Sequence, residues 1–264
     1  MHLTSKNVAE FWNEVWSMNN TGWKFGERGA PFTRILYAYL QGAGVVATDD
    51  GSKADANEEV KYDAVRRFLT EKTVLVPLCG DSEVLPYMVG CGAAHVIGAD
   101  LSEQALHTQR VVNFANFHFH SKRLERVDGA TREVTVHEAT DGGRRVTLFH
   151  GDITELPLFT AYTTLKVDFM YDRAAMMAVP PDLRPAYVRA VTKVLGANAG
   201  VAYERVVRLL PEEQNFGPPF MVDMEEVRRL YREATGRDYA AVLVLTFMVE
   251  GPRHPEWYAL LPHA

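Results

Sequence analysis

VLVPLCGDSEVLPYMVGCGAAHVIGADLSE, residues 74–103, decides the fold. The β-branched run from Thr73 to Leu78 has the composition of a buried strand, and it breaks at Cys79-Gly80-Asp81. A helix follows and is ended by Gly90 and Gly92, and His95 to Ser102 then reads as a second buried strand. Strand, turn, helix, strand is the opening unit of an α/β sheet.

The alternation continues outward from this unit. Residues 103–117, EQALHTQRVVNFANF, read as a helix, and 118–145 as a β-hairpin or an ordered excursion. VTLFHGD (146–152), VDFMYDR (167–173) and AGVAYERVV (199–207) read as strands, with helical RPAYVRAVTKVL between the last two. MEEVRRLYREAT (224–235) is a further helix and YAAVLVLTFMVE (239–250) a further strand. The closing stretch, EGPRHPEWYALLPHA, offers no clear strand. Upstream, Val60, Ala64, Val65 and Phe68 share one helix face. Residues 41–58 are small, polar and acidic, a flexible connection. Residues 1–40 are helical in pieces, with Phe11, Trp12, Val15 and Trp16 at helix spacing and a Gly-rich turn from Gly22 to Pro31. The expectation is one domain over residues 1–264: an N-terminal cover (1–40), the connection (41–58) and an open α/β core (59–264).

Composition narrows the functional classes. Over 264 residues, 47% are apolar and 23% charged, enough for a full core. The net charge of -6 argues against a nucleic-acid partner, which would call for a basic footprint. Cys79 and Cys91 make neither a disulfide framework nor a zinc signature. His118 and His120 lack a companion ligand set, so no metal is expected. The N-terminus has no apolar signal-peptide core. The longest nearly unbroken apolar run, Ala240 to Val249, is about half of what a bilayer span needs. A cytoplasmic protein with no membrane association and no obligate protein partner is the expectation.

Ligands of open α/β sheets bind beyond the carboxyl ends of the strands. The first strand ends at Leu78 and Gly80, where a small residue permits close backbone approach or simply a structural turn. Only one glycine stands here, so the G-x-G-x-x-G of a nicotinamide or flavin enzyme is missing. The second strand ends at Asp100, which suits both hydroxyls of an adenosine ribose or, alternatively, a helix cap that Ser102 could supply instead. Asp152 and Ile153 offer one polar contact and one apolar face for an adenine ring. Asp172 and Arg173 leave a buried strand as either a local ion pair or a functional one.

The segments FWNEVW, residues 74–103, YDRAAMMAVPPDLRPAYVRAV and GPPFMVDMEEVRRLY together resemble the thiopurine S-methyltransferase family, in the family's order, over roughly residues 11–232. The resemblance implies a Rossmann-like class I methyltransferase: a mostly parallel seven-stranded sheet, helices on both faces, and an N-terminal helical lid. It implies S-adenosyl-L-methionine as cofactor, S-adenosyl-L-homocysteine as product, and a small thiol as methyl acceptor. By position it assigns Trp12, Trp16, Leu78, Gly80, Asp100, Leu101, Asp152, Ile153 and Arg173 to the cofactor. Arg173 becomes the catalytic cation, oriented by Asp172, and Trp23, Pro219 and Phe220 become acceptor contacts. Apart from the resemblance, Trp12 and Trp16 at i, i+4 could simply staple their helix to the core. Other outcomes of the same reading are a halide, selenium, tellurium or aliphatic thiol acceptor, or a cofactor-binding protein without turnover.

Overall fold

The computed structural model describes residues 3–18, 30–47, 57–129, 134–210, 217–247 and 253–263. Among these, nine strands form one sheet. Its centre is parallel: β5 (Arg144–His150), β2 (His95–Asp100), β1 (Thr73–Pro77), β6 (Val167–Asp172) and β7 (Leu195–Arg208) lie side by side in that order. The residues from 118 onward form β3 (His120–Leu124) and β4 (Val134–Asp141), which add an antiparallel meander to β5.

The C-terminal expectation is corrected. Arg253–Pro262 forms a strand, β9, inserted antiparallel between β7 and β8 (Tyr239–Thr246). Pro255 cannot donate to a ladder, but both neighbours accept and donate along the rest of β9, and Trp257 to Leu260 are buried. With the meander, the sheet therefore exceeds the expected seven strands.

The period-2 alternation of the strands sends side chains to two apolar layers. Leu75, Ile97, Phe149, Met170, Val201 and Tyr203 pack with α7 (Arg184–Val194) and α8 (Met224–Thr235). Val74, Val76, Val96, Leu148, Phe169 and Tyr171 pack with α2 (Ala30–Gly42), α3 (Glu58–Leu69) and α4 (Val84–Gly90). Two short elements complete the layers at the strand ends: α5 (Glu103–Thr108) and α6 (Ala175–Ala178). α2 begins at Ala30, inside the expected turn, and Ile35, Leu36 and Leu40 on it have no exposed surface. Pro31 lies in its first turn, where a missing N–H costs nothing. α1 (Val8–Ser17) carries Trp12 and Trp16 into a third small cluster with Leu3, Ala105 and Ala178. No helix among the described residues is long and apolar enough to cross a membrane.

Candidate active site

The register of the parallel strands fixes where the site lies. Pro77 pairs with Ala99, and Ala99 with Phe149, so β1, β2 and β5 end together and their following residues meet at one edge. A cavity of about 490 Å³ opens there. Leu78, Gly80, Asp100, Leu101, Asp152, Ile153 and Arg173 all line it, together with Trp12 and Trp16 of α1.

The turn after β1 is shaped by backbone conformation. Gly80 has φ +52°, and an added Cβ would come within 3.0 Å of the Trp16 ring. Glycine therefore both permits the turn and keeps the space beneath the tryptophan. Leu78 (φ +46°) and Ala174 (φ +60°) adopt the left-handed region without being glycine. Each follows a central strand and each lines the cavity. Such residues cost about 1–3 kcal/mol each and concentrate at binding sites.

Asp100 is buried, and backbone N–H groups donate to both of its oxygens. Oδ2 accepts from the Gly80 N–H at 2.8 Å and Oδ1 from the Ser102 N–H at 2.8 Å. Burial raises its pKa, and these backbone hydrogen bonds oppose the rise. Ser102 caps α5, its Oγ accepting from the Ala105 N–H at 3.2 Å. Ser102 thus takes the capping role that was the alternative for Asp100. Asp152 does cap the turn that follows β5: Oδ1 accepts from both the N–H and the hydroxyl of Thr154 at 2.8 Å. Ile153 beside it is buried and supplies an apolar wall.

The Asp172–Arg173 pair is arranged differently from expectation. Asp172 has no exposed surface and does not line the cavity; Oδ2 accepts from the Tyr187 hydroxyl at 2.7 Å and Oδ1 from the Met176 N–H at 3.3 Å. Burial pushes its pKa up to about 6. The Nε of Arg173 instead lies 3.7 Å from Oε2 of Glu204, a buried acid on the adjacent strand β7. Burial pushes Glu204 up to about 7, with Arg173 pulling the other way. Sequence reasoning missed Glu204, although a lone acid inside the apolar run GVAYERVV is a signal.

Pro219 and Phe220 sit beside the cavity rather than in its wall. The Pro219 carbonyl accepts from Arg208 at 2.6 Å, and the Phe220 N–H donates to the Met177 carbonyl at 2.8 Å. The Phe220 ring packs against the cluster that contains Trp12 and Trp16. Trp23 lies outside the described residues. Lining residues not anticipated include Phe32, Asn113, Leu183, Ala186 and Tyr187. The apolar ones among them carry no signal beyond helix packing, which core formation explains as well.

Comparison with known proteins places the chain in a family. The profile of the thiopurine S-methyltransferase (TPMT) family matches residues 57–245. Thiopurine S-methyltransferase of Vibrio vulnificus strain YJ016 is 29% identical over 223 residues, 84% of this chain and 81% of that protein. The protein of the same name from Gluconobacter oxydans strain 621H is 28% identical over 250 residues, 94% of this chain and 90% of that protein. Among solved structures, magnesium protoporphyrin IX methyltransferase from Synechocystis PCC 6803 with bound SAM superposes with a TM-score of 0.53 over 97% of both chains, at 11% identity. That last likeness is one of fold.

Proposed function

Because the chain belongs to the thiopurine S-methyltransferase family, we propose that it methylates the sulfur of a small aromatic or heterocyclic thiol. The chain has the class I methyltransferase fold and is an S-adenosylmethionine-dependent methyltransferase. The acceptor and the role of each side chain are our reading.

The cavity at the carboxyl ends of the parallel strands carries this reading. Its residues fit the cofactor's chemistry. Asp100 places a buried carboxylate in the cavity wall, the acceptor that a ribose diol requires. Gly80 leaves the space that a Cβ would fill under Trp16. Leu101 and Ile153 offer apolar surface beside Asp152 for a heterocycle. The aromatic cover of Trp12 and Trp16 suits a positively charged sulfur, which the face of a tryptophan attracts.

When bound, the cofactor supplies a methyl group on a sulfonium, so the leaving group is neutral and already activated. What remains for the chain is to hold the acceptor in line and to exclude water, and orientation of this kind is worth about 7–11 kcal/mol. Trp12 and Trp16 serve exclusion, since both are buried while lining the cavity. Leu183, Ala186 and Phe32 offer a flat acceptor its apolar walls. The guanidinium of Arg173 favours the thiolate over the thiol, lowering the acceptor's pKa. A heterocyclic thiol already acidic in water then releases its proton to solvent, and no dedicated base is required. Glu204 holds the cation from behind, and Asp172 supports Tyr187 in the wall rather than Arg173.

Incubation with methyl-labelled S-adenosylmethionine and a panel of acceptors tests the assignment. The expected result is transfer to aromatic or heterocyclic thiols well above aliphatic thiols, halides, selenite and tellurite. Preference for one of the others would replace the acceptor class while keeping the fold and cofactor. Binding without any transfer would reduce the protein to a cofactor-binding module.

A further inference from the structure

We propose that Gln109 and Asn113 are positioning residues whose side-chain amides clamp the carbonyl groups of Gly80, Asp81 and Ser82, holding the cofactor loop in its binding shape. The proposal rests on the reading of this cavity as the S-adenosylmethionine site.

α5 does not continue as a regular helix. After Thr108 it widens into one π turn, Gln109–Asn113, in which the Phe114 N–H donates to the Gln109 carbonyl at 2.9 Å. Such single wide turns are uncommon and concentrate at functional sites. Residues 109 and 113, four apart, are neighbours on one helix face, and Asn113 Nδ2 donates to Gln109 Oε1 at 3.0 Å.

Gln109 has no exposed surface, so its polar atoms must find partners within the protein. Its Nε2 donates to the carbonyls of Gly80 and Ser82, each at 3.0 Å, which uses both amide hydrogens. Asn113 Nδ2 reaches the Asp81 carbonyl at 2.9 Å and the Ser82 carbonyl at 3.4 Å. Three successive carbonyls of one loop are therefore held by two side chains lying about thirty positions away in sequence.

The same loop is fixed from its other side. The Cys79 N–H donates to the Ala99 carbonyl at 2.9 Å, and the Gly80 N–H to Asp100. Leu78 and Gly80 both carry positive φ, a conformation that surrounding structure has to maintain. Asp100 settles the N–H side, and the two amides settle the carbonyl side. Gly80, Asp81, Ser82 and Asn113 all line the cavity, so a shift of this loop changes its floor directly. Nothing in the α5 sequence requires glutamine at 109 for packing, since a buried helix position is ordinarily apolar.

The test compares the wild type with Gln109→Leu, which keeps the volume and removes the amide, and with the milder Asn113→Ala. Three quantities are read: S-adenosylhomocysteine affinity by calorimetry, backbone hydrogen exchange of residues 79–83 in cofactor-free protein, and steady-state KM for cofactor and acceptor separately. Gln109→Leu should weaken S-adenosylhomocysteine about tenfold or more, and Asn113→Ala about threefold, as lost hydrogen bonds to fixed carbonyls predict. Exchange should quicken in residues 79–83 and stay unchanged in β7 and α7. KM should rise for the cofactor and hold for the acceptor. A lower melting temperature with unchanged affinity and unchanged local exchange would overturn the proposal in favour of a packing role. Failure of the wild type itself to bind S-adenosylhomocysteine would be a different failure, that of the cofactor reading, and the clamp's role would fall with it.

Discussion

The backbone N–H of Gly80 donates to the Asp100 carboxylate at 2.8 Å, joining two strand ends twenty positions apart in sequence. The bond ties the turn after β1 to the end of β2, so the residue suited to a ribose also shapes the loop beside it. Loss of the Asp100 side chain therefore has two consequences at once.

Asp100→Ala should weaken S-adenosylmethionine and S-adenosylhomocysteine by about 1.5–3 kcal/mol, the range for a charged acceptor removed from its donors. Asp100→Asn should do little better. One of its two ends is an NH2 group, which would face the N–H of Gly80 or Ser102. Calorimetry finding either variant at wild-type affinity would remove Asp100 from the ribose site.

Arg173 belongs to the reaction in this account, with Glu204 as its support. Arg173→Lys keeps the charge and loses the planar fork. For an acidic aromatic thiol, kcat/KM should drop about ten- to a hundredfold, or roughly 1.4–2.7 kcal/mol. The melting temperature without ligand should hardly move. Normal turnover with a large loss of thermal stability would assign Arg173 to the ion pair alone.

Glu204 gives a pH dependence with a definite sign. Its folded value is pushed up to about 7 from an ordinary 4.5 by burial. Between these values the folded chain holds a proton that the unfolded chain has lost, so stability from this group declines as pH rises. Glu204→Gln has no proton to lose. The variant should gain on the wild type between pH 5 and 8, by an amount on the order of 1–3 kcal/mol. Denaturant titrations giving a constant difference across that range would contradict the buried titration.

α1 contributes Trp12 and Trp16 to the cavity, so its docking and the cofactor should support one another. Limited proteolysis should cut the N-terminal region more slowly with S-adenosylhomocysteine present. Identical cleavage with and without it would mean that the two tryptophans only staple α1 to the core.

The parts of this protein that are legible in its sequence are those with local causes. β1, β2 and the turn between them carry their own signals, namely β-branched runs, a lone glycine and an acid at the strand end. β9 carries almost none, because its pairing with β7 and β8 is long-range and its two prolines disguise it. α2 was hidden for a related reason, as Pro31 reads equally as the close of a turn and the first turn of a helix. In the site, the positive φ of Leu78 and Ala174 has no residue signature, since neither is glycine or asparagine. Asp172 follows the opposite course: adjacency to Arg173 suggests a pair, but Tyr187 takes the carboxylate while Arg173, just past the end of β6, lies against Glu204.

The central claim is that the cavity between Gly80, Asp100 and Arg173 is an S-adenosylmethionine site, and one calorimetric titration tests it most directly. Wild-type protein is titrated with S-adenosylhomocysteine and, separately, with NADH. The account predicts a dissociation constant near micromolar for the first, about -8 kcal/mol, and no measurable heat for the second. Absence of S-adenosylhomocysteine binding, or NADH binding of comparable strength, would contradict it.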